Sequence, residues 1–198
     1  MKEEQIEIRT PDGVCDGFLY RAEDGEPRPG VIQLTDIGGI RDSFKEMARR
    51  LANEGYTVLM PNVFYRTGKP PMFDAPFQMG DARSMKRMSE LRAPLTPEAV
   101  DRDAAAYVDF LSAQPSVSSE PMGVVGYCLT GAHALRTAAV RPERIAAAAS
   151  FHGGGLFNTT PASPHLILPR VKARLYFGHA ASDRSMTASM SVKIAVVP

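Results

Sequence analysis

The sequence has no tryptophan, only two cysteines and four histidines, and its charged side chains nearly balance at a formal net charge of +1. So small a net charge argues against a nucleic-acid-binding surface built on bulk electrostatics. No apolar run approaches the roughly 20 residues of a membrane-spanning helix. The acidic, alternating start also lacks the apolar centre of a secretion signal. We therefore expect neither a membrane nor a nucleic-acid partner.

The two cysteines, Cys15 and Cys128, lie far apart in different kinds of segment. Free thiols in a reducing cytosol are favoured over a disulfide, which predicts a cytoplasmic protein. Hydrophobic residues make up 44% and charged residues 23% of the 198 positions, as in globular proteins. A chain of this length can bury one sizeable core, so we expect a single domain over residues 1–198.

Periodicity along the chain predicts an α/β architecture. Alternating segments at 5–9 and 14–20, with Pro11 and Gly13 between them, indicate an antiparallel hairpin. Further strands are predicted at 31–34, 56–61, 122–127, 145–151 and 171–177, and helices at 42–52, 97–113 and 129–140. Strands that alternate with helices predict a doubly wound, mostly parallel sheet behind the hairpin.

Residues 62–95 interrupt this alternation. Turn-forming residues come first, and a basic helix is predicted at 81–92. The segment is either a plain surface excursion or a lid or substrate wall, because long insertions in compact domains are often active-site loops.

The pattern G-x-C-x-T-G at residues 126–131 follows a predicted strand and opens a predicted helix. This context is typical of a nucleophile elbow, in which the helix N-terminus favours a thiolate and a developing oxyanion. Cys128 is then the candidate nucleophile, with the N–H groups of Leu129 and Ile37 as oxyanion donors. Thr130 stands where the elbow pattern has glycine, so a buried structural cysteine is the alternative. Cys15 is most simply a strand residue.

Five segments resemble the dienelactone hydrolase family in the expected order. They are QLTDIGG from Gln33, GYTVLMPN from Gly55, VGYCLTG from Val125, SFHGG from Ser150 and YFGHAASD from Tyr176. With the hairpin, the resemblance covers residues 5 to about 186. It implies the α/β-hydrolase fold and a cysteine-dependent hydrolase of small ester or lactone substrates that needs no metal or organic cofactor.

The resemblance also implies roles for individual residues. Cys128 matches the nucleophile, and Asp183 matches the acid that orients a catalytic histidine. Asp36 falls where the family has a glutamate that modulates the thiol, although a plain turn role is the alternative for this shorter side chain. Arg83 and Arg87 could bind a substrate carboxylate or could be solvated surface charges.

The sequence supplies no histidine at the expected place. Only 15 residues follow Asp183, none of them histidine, and one average helix would take about 11–12 residues. We therefore expect a C-terminally truncated family member without its last helix, strand and histidine loop. Tyr127 and His152 are expected to line the pocket, and the oligomeric state stays open.

Two other classes compete with the hydrolase interpretation. An inactive relative could bind a carboxylate ligand or a protein partner, since the histidine is missing. Glutamine amidotransferases share the strand–cysteine–helix turn but need a late H-x-E motif, which this sequence lacks.

Overall fold

The structure is a computed structural model that describes residues 1–180 and 183. The chain opens with the predicted antiparallel hairpin, formed by β1 (Lys2–Thr10) and β2 (Gly13–Arg21). The two strands pair along their whole length, from Lys2 opposite Arg21 to Thr10 opposite Gly13.

In the part of the chain that the structure describes, five further strands join the hairpin in one seven-stranded sheet. They are β3 (Gly30–Gln33), β4 (Thr57–Pro61), β5 (Met122–Tyr127), β6 (Ile145–Phe151) and β7 (Arg174–Gly178). The order is β1-β2-β4-β3-β5-β6-β7. Strand β2 pairs antiparallel with β4, and all pairs from β4 to β7 are parallel. The predicted mostly parallel sheet behind a hairpin is confirmed.

Within the described residues, four α-helices accompany the sheet: α1 (Asp42–Asn53), α2 (Ala82–Arg92), α3 (Pro97–Ser112) and α4 (Gly131–Val140). The Asp81 carboxylate caps α2 by accepting the Ser84 N–H at 2.7 Å. Thr96 caps α3, whose first residue is Pro97, the position that proline favours. The helix predicted from residue 129 instead begins with a 3-10 turn before α4.

Successive residues of the central strands pack into two different hydrophobic cores, one on each face of the sheet. Ile32 packs with residues of α3 and α4, whereas its neighbour Val31 packs with residues of α1. The same division separates Val124 from Val125. Because side chains alternate across a strand, strands buried on both faces become nearly continuous apolar runs. Because β3, β5, β6 and β7 run parallel, their carboxyl ends lie at the same edge of the sheet.

The predicted lack of a final helix and strand concerns residues 184–198, which lie outside the described residues. None of the helices that the structure describes has the length and apolar character needed to cross a bilayer.

Candidate active site

Cys128 lies at the sharp turn that joins β5 to the 3-10 turn Cys128–Thr130 and then α4. Its φ of 54° is in the left-handed region, which is uncommon for a non-glycine residue and costs conformational energy. The side chain is half-buried. The cysteine thus occupies the strand-to-helix turn that the sequence pattern predicts.

Small and polar neighbours make this turn possible. A Cβ at Gly126 would lie 2.0 Å from the Thr130 carbonyl oxygen, and a Cβ at Gly131 would lie 2.2 Å from Ser150 Oγ. Thr130 occupies the position where the elbow pattern has glycine, and its side chain makes hydrogen bonds within the turn. The Tyr127 N–H donates to Thr130 Oγ1 at 2.9 Å, and that hydroxyl donates to the Tyr127 carbonyl at 3.0 Å.

Several groups act on the Cys128 thiol. Burial raises its pKa above the ordinary cysteine value, and a hydrogen bond with the Leu129 backbone lowers it. The carboxylates of Asp36 and Asp183 raise the pKa further, whereas the Arg92 guanidinium lowers it. The Leu129 backbone therefore acts on the thiol, and its role as an oxyanion donor stays a prediction. Arg92 was missed by sequence reasoning, since no motif ties it to Cys128.

The loop after β3 holds Asp36 and Ile37. The Asp36 carboxylate accepts two N–H groups of Arg41, at 2.6 and 2.8 Å, and the Gly38 N–H at 2.8 Å. This arrangement supports the turn role, and the carboxylate's charge favours the neutral form of the Cys128 thiol. Among the described residues the Ile37 N–H donates no hydrogen bond, and its role as an oxyanion donor stays a prediction.

Asp183 approaches the end of β6. Its Oδ2 lies 3.5 Å from Nε2 of His152, and its side chain is 5% exposed against 59% for the imidazole. His152 directly follows β6 and is the only other non-glycine residue with a positive φ in the described chain, at 53°. The structure therefore brings Asp183 to a histidine that the sequence predicts only as a pocket wall.

Tyr127 belongs to a row of aromatic rings on the α1 face of the sheet. Its ring meets Phe44 edge-on at 5.3 Å and stacks on Phe151 at 5.5 Å, and Phe151 contacts Tyr176 at 5.3 Å. Tyr127, Phe151 and Tyr176 line an apolar groove of about 560 Å³ beside α1. This groove does not include Cys128 or His152 among its lining residues, so the role of Tyr127 in lining the substrate pocket stays a prediction.

The excursion after β4 forms one wall of a cavity. Residues 71–77 face Asp36, Ile37 and Arg41 across about 540 Å³. The two predicted carboxylate-binding arginines are tied to the same segment: Arg83 pairs with Asp74 at 3.0 Å, and Arg87 Nε donates to the Met72 carbonyl at 2.9 Å. Both arginines are thus bonded within this segment, and their binding of a substrate carboxylate stays a prediction.

Across the part of the chain that the structure describes, no three His, Cys, Asp or Glu side chains are grouped closely enough to hold a metal ion.

The sheet topology is that of an α/β-hydrolase, and a solved structure from Klebsiella pneumoniae has the same fold. It aligns with 98% of this chain and 78% of its own at a TM-score of 0.81 and 20% identity. The model of the dienelactone hydrolase family matches residues 15–196. The chain belongs to the dienelactone hydrolase family.

Sequence relatives agree with this assignment. The carboxymethylenebutenolidase of Rhodococcus opacus is 30% identical over 139 residues, which are 70% of this chain and 50% of that enzyme. The carboxymethylenebutenolidase of Pseudomonas putida is 27% identical over 190 residues, 94% of this chain and 78% of that enzyme. A dienelactone hydrolase-like promiscuous phosphotriesterase from metagenomic libraries aligns with 98% of this chain and 76% of its own at a TM-score of 0.73 and 25% identity. The chain spans about half the length of the first of these relatives.

Proposed function

We propose that this chain hydrolyses a small carboxylic ester or lactone with Cys128 as the nucleophile. The observation that carries the proposal is the left-handed turn at Cys128, which joins β5 to the helical segment and brings the Leu129 backbone into a hydrogen bond with the thiol. Membership of the dienelactone hydrolase family and the two carboxymethylenebutenolidase relatives support the reaction class.

The proposed chemistry has two steps. Cys128 loses its proton to a base, and Sγ attacks the carbonyl carbon to form a tetrahedral oxyanion that the N–H groups of Leu129 and Ile37 stabilise. Collapse breaks the C–O bond, releases the protonated alcohol and leaves a thioester. Water then attacks the thioester through a second oxyanion and releases the acid and the thiol. In this scheme the nucleophile and both oxyanion donors come from this chain.

Two measurements test the proposal: turnover of an aryl ester, and mass spectrometry of the enzyme quenched during that turnover. We expect an acyl adduct on the peptide that contains Cys128, and loss of both adduct and turnover in Cys128→Ala. Cys15→Ala is the matched control and should retain both, because Cys15 is fully buried away from this turn. Turnover that survives Cys128→Ala would refute the proposal.

A second candidate is a binding protein without catalysis. Burial raises the pKa of the Cys128 thiol, and Asp36 is held by Arg41, so Asp36 is not arranged to ionise that thiol. Thiol alkylation near pH 7 separates the candidates. A hydrolase should show alkylation of Cys128 that accelerates when a substrate analogue binds, whereas a binding protein should show protection only.

We extend the proposal to one domain and a cytoplasmic location. Both cysteines are free thiols, and one sheet runs from β1 to β7, which supports both statements. Limited proteolysis tests the domain count, and we expect a single protected fragment. Cell fractionation tests the location, and we expect the protein in the cytosolic fraction.

A further inference from the structure

A cavity of about 540 Å³ lies between the loop after β3 and residues 71–77 of the excursion. Its volume falls within the range of about 300–1,000 Å³ that is usual for small-molecule sites. Asp36 and Ile37 are among its lining residues, and the charge of Asp36 acts on the Cys128 thiol. The cavity is therefore built on the same loop that influences the candidate nucleophile.

Apolar side chains make up most of the wall of this cavity. The rings of Phe73 and Phe77 meet edge-on at 5.4 Å, and both residues are partly buried. Phe73 also packs against the main hydrophobic core, which holds its ring. The other apolar residues of the lining are Ile37, Ile40, Pro71, Met72, Ala75 and Pro76. Such a wall favours an uncharged apolar group, and an aromatic ring in particular, because aromatic rings pack edge-on or offset against one another.

The charged side chains of the lining disfavour an anion. They are the carboxylates of Asp36 and Asp74 and the guanidinium of Arg41. Arg41 donates to both carboxylate oxygens of Asp36, at 2.6 and 2.8 Å, and to the Gly39 carbonyl at 3.2 Å. A carboxylate in this cavity would have to compete with Asp36 for the guanidinium and would lie beside like charges, which costs free energy.

Close packing holds the two sides of the cavity together. Met72 is 2% exposed, and a Cβ at Gly39 would lie 2.6 Å from Met72 Cγ, so this side chain rests directly on the loop after β3. The Met72 carbonyl accepts a hydrogen bond from Arg87 Nε at 2.9 Å, which ties the same segment to α2. A wall packed in this way exists before a ligand arrives, so binding requires little ordering of the chain.

We propose that this cavity binds an uncharged apolar group of the ester substrate, best an aromatic ring, and that Phe73 and Phe77 determine this preference. The inference rests on the proposed hydrolase function and names the class of substrate that the site selects. Contacts of the ring with the wall persist in the transition state, so the preference should appear in kcat/KM.

Four esters test the preference, with the acid released followed by titration at constant pH. Methyl acetate is the reference, methyl phenylacetate and benzyl acetate carry a ring on the acyl or the alcohol side, and monomethyl succinate carries a carboxylate. We expect kcat/KM for at least one ring ester to exceed that of methyl acetate by about tenfold or more. Monomethyl succinate should not exceed methyl acetate. A preference for monomethyl succinate, or no preference for either ring ester, would overturn the inference.

Truncation of the wall should remove the ring preference. In Phe77→Ala and in Phe73→Ala we expect the ratio of kcat/KM between the preferred ring ester and methyl acetate to fall by about tenfold. Tyr56→Ala is the matched control and should keep the ratio, because Tyr56 is 37% exposed and lies directly before β4, at the amino end of that strand. Thermal melting checks the fold of each variant. An unchanged ratio in Phe77→Ala would overturn the inference, whatever the fold of Phe73→Ala.

Binding can also be measured without turnover, by saturation-transfer NMR of phenylacetamide with Cys128→Ala. We expect transfer to the ring protons, and its loss when Phe77→Ala is added. The inference and the proposed function then fail in different ways. If no acyl adduct forms on Cys128 in the unaltered chain but phenylacetamide binds, the hydrolase proposal fails and the cavity assignment stands. If the adduct forms but phenylacetamide does not bind and no ring ester is preferred, only the cavity assignment fails.

Discussion

Cys15 and Cys128 carry the same thiol in two regions of the molecule that have little else in common. Cys15 lies in β2 with no solvent exposure, and its thiol donates to the Asn62 carbonyl at 3.4 Å and to Tyr107 Oη at 3.6 Å. Burial raises the pKa of Cys15 to about 12, and the nearby carboxylate of Asp103 adds to the effect. The thiol is thereby kept in its neutral form.

Charged groups around Cys15 fasten the hairpin to the rest of the fold. Asp103 on α3 is nearly buried and accepts two Arg66 N–H groups at 2.7 and 2.8 Å and the Tyr65 hydroxyl at 2.9 Å. Arg66 also donates to Asp12, at the hairpin turn, at 2.6 Å. The polar groups of this region are satisfied by one another, and this pairing suits a structural role.

Burial also raises the pKa of Cys128, so a shifted thiol alone does not distinguish the two regions. The difference lies in the backbone. Cys128 has a left-handed conformation, a partly accessible side chain and the Leu129 backbone in a hydrogen bond with its thiol. The comparison teaches that a candidate nucleophile is defined by access and oriented N–H donors more than by its resting pKa.

Selective alkylation should give the largest contrast between the regions. We expect iodoacetamide to modify Cys128 in the native protein at least about 10³-fold faster than Cys15, because Cys15 reacts only after the core opens. Peptide mapping by mass spectrometry assigns each adduct, and the rates should converge in denaturant. Equal native rates would show that the two thiols are not distinguished by burial.

Gly126→Ala should come next in size. The added Cβ would lie 2.0 Å from the Thr130 carbonyl oxygen, so the turn at Cys128 has to distort. We expect about 3 kcal/mol or more of lost stability by urea unfolding, and altered alkylation of Cys128. Gly123→Ala is the matched control on the same strand. Its nearest contact would be an ordinary 3.7 Å, and it should cost less than about 1 kcal/mol. Equal losses would contradict the crowding argument.

At alkaline pH we expect a smaller effect, which is the contribution of Cys15 to the free energy of unfolding. The folded pKa of about 12 lies above the unfolded value near 9, so the folded state holds a proton that the unfolded state releases. This contribution is complete below pH 9 and is lost as the pH rises towards 12, by about 1.4 kcal/mol for each unit between them. Urea unfolding at pH 8, 9.5 and 10.5 measures the slope. Cys15→Ala should show a shallower decline, and identical slopes would contradict the assignment.

Much of the fold could be predicted because local pattern and tertiary structure agree. The bounds of β5 and β6 match the predicted residues 122–127 and 145–151, since both are apolar runs between clear turn signals. Strand β7 begins at Arg174 rather than at 171, where the chain is still leaving a 3-10 turn over Pro164–Arg170. The first and last residues of a strand depend on which neighbouring strand supplies the hydrogen bonds, and the periodicity of the sequence does not encode that neighbour.

In the candidate site, too, some features could be predicted from the sequence and others could not. The turn at Cys128 is partly predictable because the crowding at Gly126 comes from Thr130, four residues further on, whereas the crowding at Gly131 comes from Ser150 on β6. The bonds from Arg41 to Asp36 and the approach of Asp183 to His152 join separate loops, so spacing along the chain gives little sign of them. The aromatic row of Phe44, Tyr127, Phe151 and Tyr176 likewise spans three strands and one helix.

The sequence by itself determined the strand and helix pattern, the hairpin and a cysteine at a strand-to-helix turn, because each depends on side-chain periodicity or on steric limits between near neighbours. Tertiary structure alone decided the strand order, the pairing of Asp36 with Arg41 and the approach of Asp183 to His152. These features depend on which carboxyl ends meet at one edge of the sheet, and long-range packing sets that arrangement.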